Sequence, residues 1–174
     1  MLDVSVAYDR YKFLGHEFLT WLWFIMDVDQ TGIVKTNKDM VSLEMDNRIV
    51  LENSLDDRVE NIRIKGDDAG LEEAKISLQK GGVVTELNFS FKSGDYEWKF
   101  NIKGESLNIS SLKSPETGKI EKNDDVEGAV LEKIYLYAKV VSLVENLYNQ
   151  FIYLRISNKW DDDIVPRIKK WIKS

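Results

Sequence analysis

The sequence predicts an α+β fold: an antiparallel sheet of hairpins with an aromatic N-terminal helix, one inserted short helix, a long C-terminal helix and a short terminal one. Three observations carry this. Phe13–Phe24 reads FLGHEFLTWLWF, with Leu14, Phe18, Trp21, Leu22 and Ile25 on one helical stripe. Val83–Phe91 and Tyr96–Ile102 alternate apolar and polar residues around Ser93-Gly94-Asp95, the pattern of a hairpin. From Val126 to Ser157 the period returns to helical.

The first helix is expected over Tyr11–Met26, after an extended or frayed lead-in of ten residues, and a polar loop over Asp27–Asp39 follows it. Met40–Glu52 alternates as strand, with Asp46-Asn47 suggesting a hairpin turn, and Val59–Lys65 alternates again. Asp67-Asp68 and Gly81-Gly82 bracket a short helix, Leu71–Lys80, with Glu72 and Glu73 at its positive end. In the first hairpin strand Val83, Thr85, Leu87, Phe89 and Phe91 share a face. Ser106–Leu112 reads as a further strand, and Ser114–Asp125 as a loop and candidate hinge within a single domain, 1–174.

In the long helix Val130, Ile134, Tyr137, Val141, Val144, Tyr148 and Phe151 mark a seam of alternating four- and three-residue steps, broadened by Leu136, Val140, Leu143, Leu147 and Leu154. So long a helix either is broken, or projects, or makes a two-helix contact. Asp161–Asp163 are expected to cap the last helix, Ile164–Lys173, whose polar face is basic.

The chain has 174 residues, no cysteine and one histidine, His16. Disulfides, thiolate metal sites and cysteine nucleophiles are excluded, His-rich metal sites are disfavoured, and a reducing cytoplasm fits. The N-terminus lacks the basic and apolar regions of a signal peptide, and no apolar run is long enough to span a membrane. The net charge of −6 turns attention from total charge to local basic patches.

Two acidic motifs invite a test. Asp27-Val-Asp29-Gln-Thr31-Gly32 matches the start of an EF-hand loop, but position twelve is Lys38, where a bidentate acid is needed. It also matches the D-x-D-x-T of haloacid-dehalogenase-type phosphotransferases, which requires a strand before Asp27, where the pattern is helical. A plain exit loop is the expectation. Nucleotide-binding, metalloprotease and hydrolase signatures are missing, so no catalytic residue, metal or cofactor is expected. His16 and Glu17 are helix neighbours that point to different faces.

What remains is basic surface. One cluster is Arg63, Lys65, Lys75 and Lys80 around the strand-to-helix junction, and another is Arg167, Lys169, Lys170 and Lys173 on the last helix. Trp21, Trp23, Tyr137 and Val144 are candidates for an oligomer contact, Trp21 and Trp23 alternatively for burial under the sheet.

The strings LGHEFLTWLWF, EEAKISLQKGGVVTELNFSF and LYNQFIYLRISNKW with RIKKWI resemble the RdgC family of recombination-associated DNA-binding proteins. The likeness covers most of this chain and only the C-terminal half of longer members. Its sharpest element is Arg63 and Lys65, then Glu72, Glu73, Gly81, Val83, Val84, Leu87 and Phe89. The resemblance implies non-catalytic binding of DNA, duplex or single-stranded, with little sequence preference, by a cytoplasmic homo-oligomer; longer members are dimeric rings that limit recombinase access. Of the family's residues along the DNA path only Arg63 and Lys65 carry over, and Gly66 and Asp67 follow them here. The alternative is a protein–protein interaction module of phage or mobile-element origin that binds no DNA.

Overall fold

The computed structural model describes residues 4–28, 33–35, 40–55, 58–65, 68–117 and 126–174. Helix α1 (Val4–Val28) precedes strands β1 (Ile33–Lys35), β2 (Met40–Leu55) and β3 (Arg58–Lys65). Helix α2 (Asp68–Gln79) leads to β4 (Val83–Ser93), β5 (Tyr96–Lys103) and β6 (Ile109–Lys113). The chain closes with α3 (Val126–Arg155), a π-helical turn (Trp160–Ile164) and α4 (Val165–Ile172). The fold is α+β, as the hairpin and helix periods predict.

All strand pairings are antiparallel, in the order β1-β2-β4-β5-β6. Strand β3 joins the same edge of β2 as β1, further along. The expected hairpin at Asp46-Asn47 does not form. Those residues lie inside one 16-residue strand, at a register shift between Met45 and Ile49 opposite β4. A bulge absorbs turn-forming residues without ending the ladder. A second shift leaves Thr85 unmatched between the pairs Val50–Glu86 and Leu51–Val84. Val84 therefore joins Leu87, Phe89 and Phe91 in the core, in place of the expected Val83 and Thr85. Gly94 has φ +60° at the first central position of the β4–β5 turn, where a type II′ hairpin needs that sign.

Several helix boundaries also differ from expectation, among them the start of α2, at Asp68 and not Leu71. Val4–Arg10, expected as lead-in, is helical, and Asp27 and Val28 extend α1 into the expected loop, which also contains β1. Asp161–Asp163 do not cap α4 through side-chain hydrogen bonds. They form the π-helical turn, and Asp163 pairs with Arg167 instead. The far end of α2 is as predicted: Gly81, at φ +92°, lets its amide reach Leu78 O and that of Gly82 reach Ser77 O, a Schellman closure. Of the proposed hinge, Ser114–Thr117 carries no regular structure and 118–125 lies outside the described residues.

The helices gather on one face of the sheet. Helix α1 crosses β4 and β2, α2 packs on β3, and α3 and α4 close on α1. Phe18, Trp21, Leu22, Trp23 and Phe24 meet Leu51, Leu87, Phe89 and Phe100 from the sheet and Val140, Leu147 and Phe151 from α3 in one cluster. Aromatic contacts fix the seams: Phe18 to Phe151 at 5.6 Å, Trp23 edge-on to Trp171 at 4.8 Å, and Phe91 stacked on Trp98 at 4.5 Å. Burying such side chains contributes roughly 1.5–3 kcal/mol each, which makes α1 the pillar of the core.

Candidate nucleic-acid interface

The structure redistributes the basic residues. Lys75 turns inward: its ammonium lies 3.1 Å from the Asp27 carboxylate and 5.1 Å from the centroid of the Trp171 ring, with 18% of its side chain exposed. The Trp171 indole N–H donates to the same carboxylate. An acidic group in the last turn of α1 opposes the helix dipole, and Lys75 offsets it. Asp27 thus ties α1 to α2 and α4, and Lys75 is occupied within the fold.

Arg63 is exposed on β3, between Ile62 and Ile64, which pack toward the core. Strand alternation puts it on the opposite face of the sheet from α2, in a row with Val50 and Glu86. Lys65 pairs with Arg48 in the ladder, and its side chain lies outside the described residues. The polar sheet face beyond carries lysines matched to acids: Lys92 to Glu44 at 3.4 Å, Lys99 to Glu97 at 3.7 Å and Lys103 to Glu86 at 3.7 Å. A phosphate approaching these three lysines meets charges that already have partners.

The other basic group comes together. Gln79, the last residue of α2, donates from Nε2 to the Ile172 carbonyl at the end of α4, 2.7 Å away and 93 residues on in sequence. This bond brings the end of α2, next to Lys80, against the end of α4, which carries Lys169, Lys170 and Lys173. All four are exposed. Among the described residues none of the four has an ion-pair partner. Two helix C-termini meet here, and cations complement the negative ends of both dipoles. The opposite side of α4 is its anchor, with Trp171 and Ile164 buried. Arg167 stands apart, 3.7 Å from Asp163 and over the Phe24 ring at 5.5 Å.

The structure therefore divides the predicted site. Lys80, Lys169 and Lys170 stand on two linked helix ends, Arg63 faces elsewhere, Lys75 is withdrawn, and Arg167 is shared with an acid. Gln79, which makes the junction, carries no charge and no motif, so nothing in the sequence singles it out. Trp21 and Trp23 are buried within the chain, the first against Phe151 and the second against Trp171, so the burial half of their expectation describes them. Val144 is also buried, whereas Tyr137 is exposed.

His16 sits half-buried where α1 passes the β5–β6 turn, its Nε2 without a partner. Burial lowers its pKa from 6.5; the Glu105 and Glu52 carboxylates act to raise it and Lys12 to lower it. Among the described residues no group of three or more histidine, cysteine or acidic side chains is placed to hold a metal ion. No described helix is long and apolar enough to cross a membrane. No protein-family model matches the chain, and no curated protein matches it either.

Proposed function

We propose that this protein binds nucleic-acid backbones without catalysis and with little sequence preference, through the lysine group at the joined ends of α2 and α4. The carrying observation is the Gln79–Ile172 hydrogen bond, which joins the helix ends that carry Lys80, Lys169, Lys170 and Lys173, none of them with an ion-pair partner among the described residues, on a chain of net charge −6. Lysines on flexible stems act as point charges toward phosphates, and phosphate contacts carry no sequence information directly. Each phosphate neutralised releases condensed counterions, so affinity comes mainly from salt-sensitive electrostatics. Arg63 and the ladder position of Lys65 form a separate, secondary contact in this reading. A cytoplasmic role associated with recombination is the context that the family resemblance supplies.

Fluorescence-anisotropy titration of duplex and single-stranded oligonucleotides of unrelated sequence tests this, at about 50 mM salt, where phosphate contacts are strongest. The proposal expects micromolar binding of all of them. No binding at tens of micromolar protein would replace it with the interaction-module alternative.

A further inference from the structure

Helix α3 carries two apolar stripes, and the fold uses only one of them fully. Leu136, Val140, Leu143, Leu147 and Phe151 are buried against the rest of the molecule. The second stripe is the expected seam from Val130 through Ile134, Tyr137, Val141 and Val144 to Tyr148; the seam's last residue, Phe151, falls on the buried stripe instead. Its C-terminal members, Val144 and Tyr148, pack toward the core. Its first four stay in water, with Val130 50%, Ile134 58%, Tyr137 53% and Val141 41% exposed. The stripe then runs into an open trough of about 300 Å³ lined chiefly by Leu107, Ile109, Val141, Val144 and Tyr148.

We infer that this half of α3 pairs with the same half of α3 from a second copy of the chain. A seam averaging 3.5 residues is matched by a facing helix with the same repeat, and a second copy presents that repeat by symmetry. Antiparallel pairing about the level of residues 135 and 136 sets Ile134 opposite Tyr137 and Val130 opposite Val141 of the partner subunit, so the four exposed seam residues meet only their own counterparts. With Val126 and Leu131 alongside, six residues leave about half their surface exposed. Six such half-exposed side chains amount to on the order of 600 Å² per copy, the lower end of the ~600–1,000 Å² per partner of stable interfaces. The chain's own connection into α3, 118–125, reads GKIEKNDD and offers one aliphatic side chain, Ile120, which cannot match four turns of seam. This pairing is independent of the lysine surface.

Sedimentation equilibrium of the full chain at about 50 µM tests it, a concentration that reveals dimers with micromolar Kd. The expected mass is twice the 20.2 kDa of one chain. Ile134→Glu should return it to one chain with an unchanged far-ultraviolet CD spectrum, since Ile134 is exposed. Tyr153→Glu, on the far side of the helix, should leave the dimer intact. If Ile134→Glu fails to fold, Val130→Lys makes the same test. A monomeric wild type, or a dimer that survives either seam variant, would overturn the inference.

Discussion

The carbonyl oxygen of Gly104 fills the space that a Cβ on Gly15 would need, 1.7 Å from its ideal position. Helix α1 thus rests backbone to backbone on the turn after β5, and the height of the whole aromatic pillar above the sheet is set there. Gly104 is itself held, its amide donating to Thr85 O at 2.8 Å. Gly15→Ala must lift α1 or push the turn away, either of which opens the packing around Phe18 and Leu19. Overpacking of this kind costs about 1–3 kcal/mol, with the upper end expected because the obstructing atoms are backbone. Urea denaturation should show that loss as a lower midpoint with an unchanged slope.

Asp27 supplies the second structural test. Asp27→Ala leaves the Trp171 indole N–H and the Lys75 ammonium without their acceptor and should cost about 1–3 kcal/mol. Asp27→Asn keeps an acceptor for the indole while removing the charge, so a smaller loss is expected. The order wild type, Asn, Ala in denaturation midpoints checks this. Equal losses would mean that the ion pair alone carries the node.

His16 gives the molecule a pH dependence of known sign. Burial favours the neutral imidazole, so the folded pKa lies below 6.5, the value taken for the unfolded chain. Above 6.5 both states are neutral and His16 adds no pH dependence. As pH falls below 6.5 the unfolded chain binds a proton that the folded chain resists, and stability declines until the folded pKa is passed. Glu52 and Glu105 moderate the decline. Stability at pH 7.5 minus that at pH 5.5 should be smaller in His16→Gln than in the wild type; equal differences would assign the acid sensitivity to other groups.

Much of this fold is legible in local pattern. Helix α3 follows from the seam, the β4–β5 hairpin from alternation around Gly94, and the end of α2 from its paired glycines, because each is specified within a few residues. Where local signals fail, a non-local partner decides. Asp46-Asn47 reads as a turn, yet pairing with β4 carries β2 straight through it as a bulge. Val84 replaces Val83 in the core because Thr85 slips out of register against Val50. The candidate site is less legible still. Lys75 and Lys80 are near in sequence and alike in type, but one is turned onto Asp27 and Trp171 while the other stands free. Their separation depends on where α4 docks.

The helix ends that carry Lys80 and Lys173 are linked by one uncharged side chain, so Gln79→Ala should separate stability from binding. Losing a single exposed hydrogen bond costs about 0.5–1.5 kcal/mol at most. If the joint holds the lysines in register, affinity for duplex DNA should still fall measurably, read by anisotropy at fixed salt. An affinity equal to wild type would mean that the lysines act without the joint.

The most direct test is the slope of log K against log salt for duplex DNA, in wild type and in a variant carrying Lys80→Gln, Lys170→Gln and Lys173→Gln. Four lysines on phosphates predict a wild-type slope of about −3.6, roughly a hundred-fold loss of affinity between 50 and 200 mM salt. Removing three of them should bring the slope to about −1 with the fold intact. A slope that stays unchanged in the variant, or wild-type affinity that ignores salt, would contradict phosphate binding by the joined ends of α2 and α4.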